Sequence, residues 1–124
     1  MPSMPGTFRP AGARTRSEVK READGRRGSA RERGYTTAWD RAAKRYLREH
    51  PLCEYAQAET PPRIVAAELV DHLYPHRGDQ DLFWDEANWV ATTKDFHDGP
   101  KQAAERAGKP AIDALARRLG RPTR

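Results

Sequence analysis

The first 34 residues carry a single aromatic side chain, Phe8, and are otherwise rich in Gly, Pro, Ser and Arg. Such a stretch cannot bury enough apolar surface to offset the entropy of ordering its backbone. The packed core of this 124-residue chain must therefore come from the residues that follow. Residues 1–34 read as a disordered basic arm. What remains fits one domain and not two. A mean hydropathy of −1.00 and an apolar content of 36% look low for a packed protein. Much of that deficit lies in the arm, which leaves a small but workable core.

Charge is divided in the same way. The net +5 of the whole chain resolves into +5 over residues 1–34, −5 over 35–100 and +5 over 101–124. Basic ends point to a polyanionic partner, because each Lys or Arg that meets a phosphate releases a counterion. A solvated tail that keeps the protein soluble fits the composition equally well. An acidic middle is odd for a passive DNA coat and less odd if some of its carboxylates hold a metal.

Several classes are excluded. The longest apolar run, Ile64 to Ala67, stops at Glu68, far short of the roughly 20 residues of a membrane span. The Met-Pro-Ser-Met-Pro start, turning Arg-rich, has no apolar stretch or small-residue cleavage site, so no secretory signal is expected. The single cysteine, Cys53, excludes an intrachain disulfide and a zinc site built from four cysteines, and it fits a reducing cytoplasm.

Order is expected from about Thr36. Trp39, Ala42, Ala43, Tyr46 and Leu47 form one apolar helical face, capped by Thr36 or Thr37 and ended by Pro51. Arg41, Lys44, Arg45 and Arg48 fall mostly on the other face. A loop runs from Cys53 to Pro62. Ile64 to His72 reads as a strand, or as a helical turn leading into a strand at Leu69–Leu73. A turn-rich loop follows from Pro75, Leu82-Phe83-Trp84 forms a bulky anchor, and Asp85 to Asn88 form a turn. Trp89 to Thr93 suit a second strand. The next helix starts either near Lys94 or at Pro100 and stops at Gly108. Pro110 opens a last helix whose Ile112, Leu115, Ala116 and Leu119 make an apolar stripe ended by Gly120.

The residues suited to chemistry are Asp71, His72, Asn88 and His97, at the end of one strand, before the next, and at the start of the helix after it. A strand–loop–strand–helix unit brings such positions together. A carboxylate, two imidazoles and an amide are the groups needed to bind a divalent cation and activate a water.

The string Val70-Asp71-His72-Leu73-Tyr74-Pro75-His76-Arg77-Gly78-Asp79, then Leu82-Phe83-Trp84-Asp85, Asn88-Trp89, His97-Asp98 and Lys101, resembles the HNH endonucleases, particularly the small phage-type members. The likeness runs from about Gly34 to Arg106. It implies an α+β chain with a small ββα-metal hairpin-plus-helix core and flanking N- and C-terminal helices. The implied division is a basic arm at 1–34, a nuclease domain at 35–108, and an amphipathic helix with a basic tail at 109–124. By the same resemblance Asp71 and His97 would hold one divalent ion (Mg2+, Mn2+, Ni2+ or Zn2+), and His72 would be the general base. Asn88 would fix the hairpin loop and hold His72, while Arg77 and Lys101 would clamp phosphates. His76 is not expected to be a ligand, since Pro75 prevents a helical pairing with His72.

Many members of that family carry two Cys-x-x-Cys pairs around a structural zinc. Here the first reads Cys53-Glu54-Tyr55-Ala56 and the second Thr93-Lys94-Asp95-Phe96, so three of four sulfurs are absent. No structural zinc is expected, and Cys53, Ala56 and Phe96 are expected to form an apolar cluster instead.

Trp39, Phe83, Trp84 and Trp89 read as core residues rather than base-stacking platforms. Asp79, Asp81 and Asp85 read as solvated acids rather than a second metal site. Arg117, Arg118, Arg121 and Arg124 are candidate phosphate contacts, with a solvated face as the alternative. The function expected is a metal-dependent DNA endonuclease that acts by water attack on phosphate, in a bacterial host cytoplasm, with DNA as partner. Phage terminase or packaging proteins are further candidate partners by resemblance. The alternative is a decayed HNH-fold module that binds DNA or a packaging partner. An RNA-associated basic protein would leave the acidic hairpin unexplained.

Overall fold

A computed structural model describes Arg16, Ser29 and residues 31–124. The basic arm expected at 1–34 lies outside the described residues except for these few positions.

Helix α1 spans Thr37–Glu49, with Thr36 as its N-cap. The Thr36 hydroxyl accepts from the Trp39 N–H at 3.4 Å and so satisfies one of the first-turn donors. Trp39 and Tyr46 are buried on its inner face. The expected loop after Pro51 instead holds a one-turn helix, α2, at Glu54–Gln57. Its Tyr55 and Ala56 are buried, so packing supplies what local propensity does not.

Strand β1 (Leu69–His72) pairs antiparallel with β2 (Trp89–Thr92), in the register Leu69–Thr92, Val70–Ala91, Asp71–Val90 and His72–Trp89. The strand begins at Leu69, as in the second of the two sequence readings, and Ala66 makes an isolated bridge to Leu52. β2 is buried along its whole length. Its alternating side chains serve two cores: Trp89 and Ala91 pack with Trp39, Tyr46 and Phe83. Val90 packs with Tyr55, Leu73 and the last helix. That is why its apolar residues run on without polar alternation.

Between the strands, α3 (Gln80–Phe83) is capped by the Asp79 carboxylate, which accepts from the Asp81 and Leu82 N–H groups. A 3-10 turn at Glu86–Asn88 is capped by Asp85. Two of the loop acids are thus caps. Trp84 departs from expectation: it is 40% exposed, whereas Trp39, Phe83 and Trp89 are buried.

Helix α4 begins at Lys94, with Thr93 as N-cap. It runs through Lys94–Phe96, a π-helical stretch at His97–Lys101, and Gln102–Ala107. The wider turn accommodates Pro100, which has no N–H to donate and crowds the preceding turn of a regular helix. Gly108, at φ +108°, ends it. Helix α5 (Lys109–Arg118) follows directly, and its Ile112, Leu115 and Ala116 enter the same core as Tyr55 and Val90. The architecture is α+β, with one two-stranded antiparallel sheet and helices around it. No helix among the described residues is long and apolar enough to cross a membrane.

Candidate active site

Asp71 and His72 are consecutive in β1, so their side chains leave opposite faces of the hairpin. His72 turns to the α1 side. Its ring stacks on Trp39 with centroids 4.9 Å apart, and its Nε2 lies 3.0 Å from the Phe83 carbonyl oxygen. A carbonyl only accepts, so neutral His72 carries its proton on Nε2 and keeps Nδ1 as the basic nitrogen. The same carbonyl accepts from Trp89 Nε1 at 2.8 Å. Burial drives the His72 imidazole down to about 4, which makes the neutral ring its form at pH 7.

Asp71 faces α4. Its Oδ1 is 3.6 Å from His97 Nε2 and its Oδ2 is 3.1 Å from Lys101 Nζ. The Oδ2 atom is buried with no donor aligned on it for a hydrogen bond, so the contact with Lys101 is an ion pair of poor directionality. His97 Nδ1 is 3.0 Å from Asp98 Oδ1. In the neutral ring, a proton on Nδ1 donated to that carboxylate leaves the Nε2 lone pair turned to Asp71. Two acceptors then face each other across 3.6 Å, a span that two bonds of about 2.1 Å to a divalent ion cover. The donor set fits a cation with oxygen and imidazole ligands. Among the described residues no three His, Cys, Asp or Glu side chains are grouped to hold a metal. Asp71 and His97 form a pair, so further ligands would come from water or substrate.

Asn88 is fully buried. Its Oδ1 accepts from the Tyr74 N–H at 2.8 Å, and its Nδ2 donates to the Tyr74 carbonyl at 3.0 Å. The Asn88 carbonyl also accepts from the Leu73 N–H at 2.8 Å. This clamp holds the backbone just after His72. The amide does not bond the His72 ring, so its influence on that ring runs through the backbone.

Lys101 does not reach a phosphate-binding surface. Its side chain is 1% exposed, and Nζ donates to the His72 carbonyl at 2.9 Å and to Glu105 at 3.1 Å. The π-helical turn carries it inward beneath Asp71. The phosphate clamp expected at Lys101 is thereby corrected to an internal counter-ion. Arg77 is exposed on the cleft rim, with φ +50°. Two of the C-terminal arginines are also engaged internally. Arg121 donates to Glu54, Tyr46 and the Ala87 carbonyl, and Arg124 to Asp85.

A cleft of about 430 Å³ opens over Asp71, His72, His97 and Arg77, with Tyr35 and His76 also on its walls. The latter two were not picked out as site residues from the sequence. Tyr35 sits ahead of the first helix with no motif around it, and His76 is brought in by a turn rather than a helix. A second recess, about 380 Å³, gathers Cys53, Ala56, Thr93 and Phe96. Cys53 and Ala56 lie in the core with Phe96 packed against it, and Tyr55 stacks on Phe96 at 4.1 Å. The apolar cluster expected there is present.

Comparisons with protein-family models, curated proteins and solved structures give no match for this chain.

Proposed function

We propose that this chain is a metal-dependent DNA endonuclease of HNH type, which hydrolyses phosphodiesters with His72 as the general base. The observation that carries this reading is the cleft lined by Asp71, His72 and His97, in which Asp71 Oδ1 lies 3.6 Å from His97 Nε2. The hydrogen bonds support the roles proposed. The Phe83 carbonyl holds the His72 proton on Nε2, so Nδ1 is free to accept one from a water. The Asn88 clamp keeps the turn after β1 from shifting that ring. Asp98 orients His97, and Lys101 holds the second oxygen of Asp71. Asp71 and His97 would hold the divalent ion, whose chemistry is Lewis-acid stabilisation of charge on phosphate oxygens. Arg77 on the rim would meet a neighbouring phosphate. Net positive charge in residues 1–34 and 101–124 is compatible with a polyanionic substrate such as DNA. Action beside phage packaging proteins in a bacterial cytoplasm belongs to the same proposal and rests on the resemblance alone.

Lys101 favours a second reading. An ammonium already pairs with the Asp71 carboxylate, and a built-in cation beside a two-residue ligand set suits a DNA-binding module that has lost catalysis. The two readings part on metal dependence. Supercoiled plasmid incubated with Mg2+, Mn2+ or Ni2+ is nicked by wild type, spared with EDTA, and spared by Asp71→Asn. Plasmid binding without nicking in any of these metals supports the module.

A further inference from the structure

Tyr35 and His76 form a hydrogen-bonded pair on the cleft wall that the roles above leave unused. The Tyr35 hydroxyl and His76 Nε2 are 2.9 Å apart, and His76 Nδ1 accepts from the Gly78 N–H at 3.0 Å. A backbone N–H only donates, so neutral His76 has its lone pair on Nδ1 and its proton on Nε2. That proton is donated to the Tyr35 oxygen, which frees the Tyr35 proton for another acceptor. The ring is fixed in place, edge-on to Trp39, Phe83 and His72, with Tyr35–His72 centroids 6.4 Å apart. It remains 39% exposed. Gly34, at φ +107°, brings the chain in: a Cβ there would lie 3.1 Å from the Phe83 ring. On the other side, Arg77 and Gly78 both take positive φ, which folds the turn back so that Gly78 N–H meets His76. Two left-handed residues in succession, one of them not glycine, store strain in the device that fixes this imidazole.

We infer that the Tyr35–His76 pair is a phosphodiester-binding element of this cleft, with His76 fixing the Tyr35 hydroxyl so that its proton is donated to a non-bridging phosphate oxygen. This rests on the nuclease reading only for its effect on cutting; the binding role stands independently of it. Tyr35 is the contact and His76 a positioning residue. A hydroxyl donor suits this place because it adds no charge beside Asp71 and the cation that Asp71 would hold. A phosphate seated against His72 and His97 has the Tyr35 hydroxyl on the same cleft.

The test uses the full chain, Tyr35→Phe, His76→Ala and the double variant, with a short DNA duplex as probe. Phe keeps the edge-on packing, so thermal stability is held. In EDTA, Tyr35→Phe weakens duplex binding about tenfold. The double variant is no weaker than Tyr35→Phe alone, because one removed hydroxyl accounts for both. Imidazole 15N spectra show His76 protonated on Nε2 and moving when duplex is added to wild type. Where wild type nicks plasmid, Tyr35→Phe slows nicking by a similar factor. Wild-type nicking with unchanged Tyr35→Phe binding and nicking overturns this inference alone. A binding loss in Tyr35→Phe with no wild-type nicking keeps the inference and overturns the nuclease. Failure of wild type to bind duplex overturns both.

Discussion

The Lys101 ammonium lies 3.1 Å from the Asp71 carboxylate, with Lys101 1% and Asp71 11% exposed. A lysine inside the protein beside the proposed metal ligand would couple stability to a metal held there. Lys101→Met leaves Asp71 buried without its cation, at a cost of about 3 kcal/mol. A divalent ion at Asp71 then neutralises the stranded charge. Mn2+ therefore raises the melting temperature of Lys101→Met more than that of wild type, by ligand linkage. Equal rises measured by scanning calorimetry contradict a shared carboxylate.

Arg121 closes the chain's end onto the structure. It donates to Glu54 Oε1 at 2.9 Å, to the Tyr46 hydroxyl at 3.1 Å and to the Ala87 carbonyl at 2.7 Å. Glu54 in turn accepts from Tyr46 and from the Ala91 N–H in β2. The network joins α1, α2, β2 and the C-terminal residues. Removing the guanidinium leaves Glu54 partly buried without its counter-charge, so Arg121→Met loses about 2 kcal/mol in urea unfolding. Arg121→Lys recovers less than half, because an ammonium does not reproduce the fork. Full recovery by lysine contradicts the assigned geometry.

Asp113 gives a pH dependence. The Lys109 ammonium at 2.8 Å and the Tyr74 hydroxyl at 2.5 Å hold its carboxyl below the usual range. A carboxyl whose folded pKa is depressed contributes stability above its unfolded value, near 3.9, and loses it as pH falls through the folded one. The stability gap between wild type and Asp113→Asn is therefore flat from pH 5 to 8 on the order of measurement error, and closes below about pH 4. A gap of constant size down to pH 3 assigns no such role to the carboxylate.

Arg77 trades stability for contact. At φ +50° a non-glycine residue is strained, so Arg77→Gly gains up to about 1 kcal/mol of folding stability. The same change removes a rim guanidinium, which lowers the log–log salt slope of duplex binding by about one unit. Stability and affinity move in opposite directions. A variant that loses stability, or one that keeps the wild-type slope, contradicts the position given to Arg77.

Sequence patterns announced the elements whose signals are local. The Trp39–Leu47 stripe, the Thr36 cap and the Gly108 and Gly120 stops each follow from one helix's own periodicity or ends. Asp71, His72 and His97 stand out by their resemblance to a family pattern, and all three line one cleft. Residues defined by distant neighbours were not readable. Lys101, four residues after His97, looks like a surface lysine until the π turn aims it at Asp71, Glu105 and the His72 carbonyl. Tyr35 gains meaning only from His76, 41 residues away. Arg121 reads from the sequence as a phosphate contact or a solvated side chain, because its carboxylate partner, Glu54, lies 67 residues back. Trp84 looked like core because bulk alone does not say which aromatic stays at the rim.

His72, the proposed general base, is the most direct point of test. Single-turnover nicking of supercoiled plasmid in Mn2+ compares wild type with His72→Ala, with both proteins checked for equal duplex binding and for folding by near-ultraviolet circular dichroism. Loss of the base lowers the nicking rate by about 10²–10⁴-fold, with binding retained. A His72→Ala protein that nicks at the wild-type rate contradicts His72 as the base.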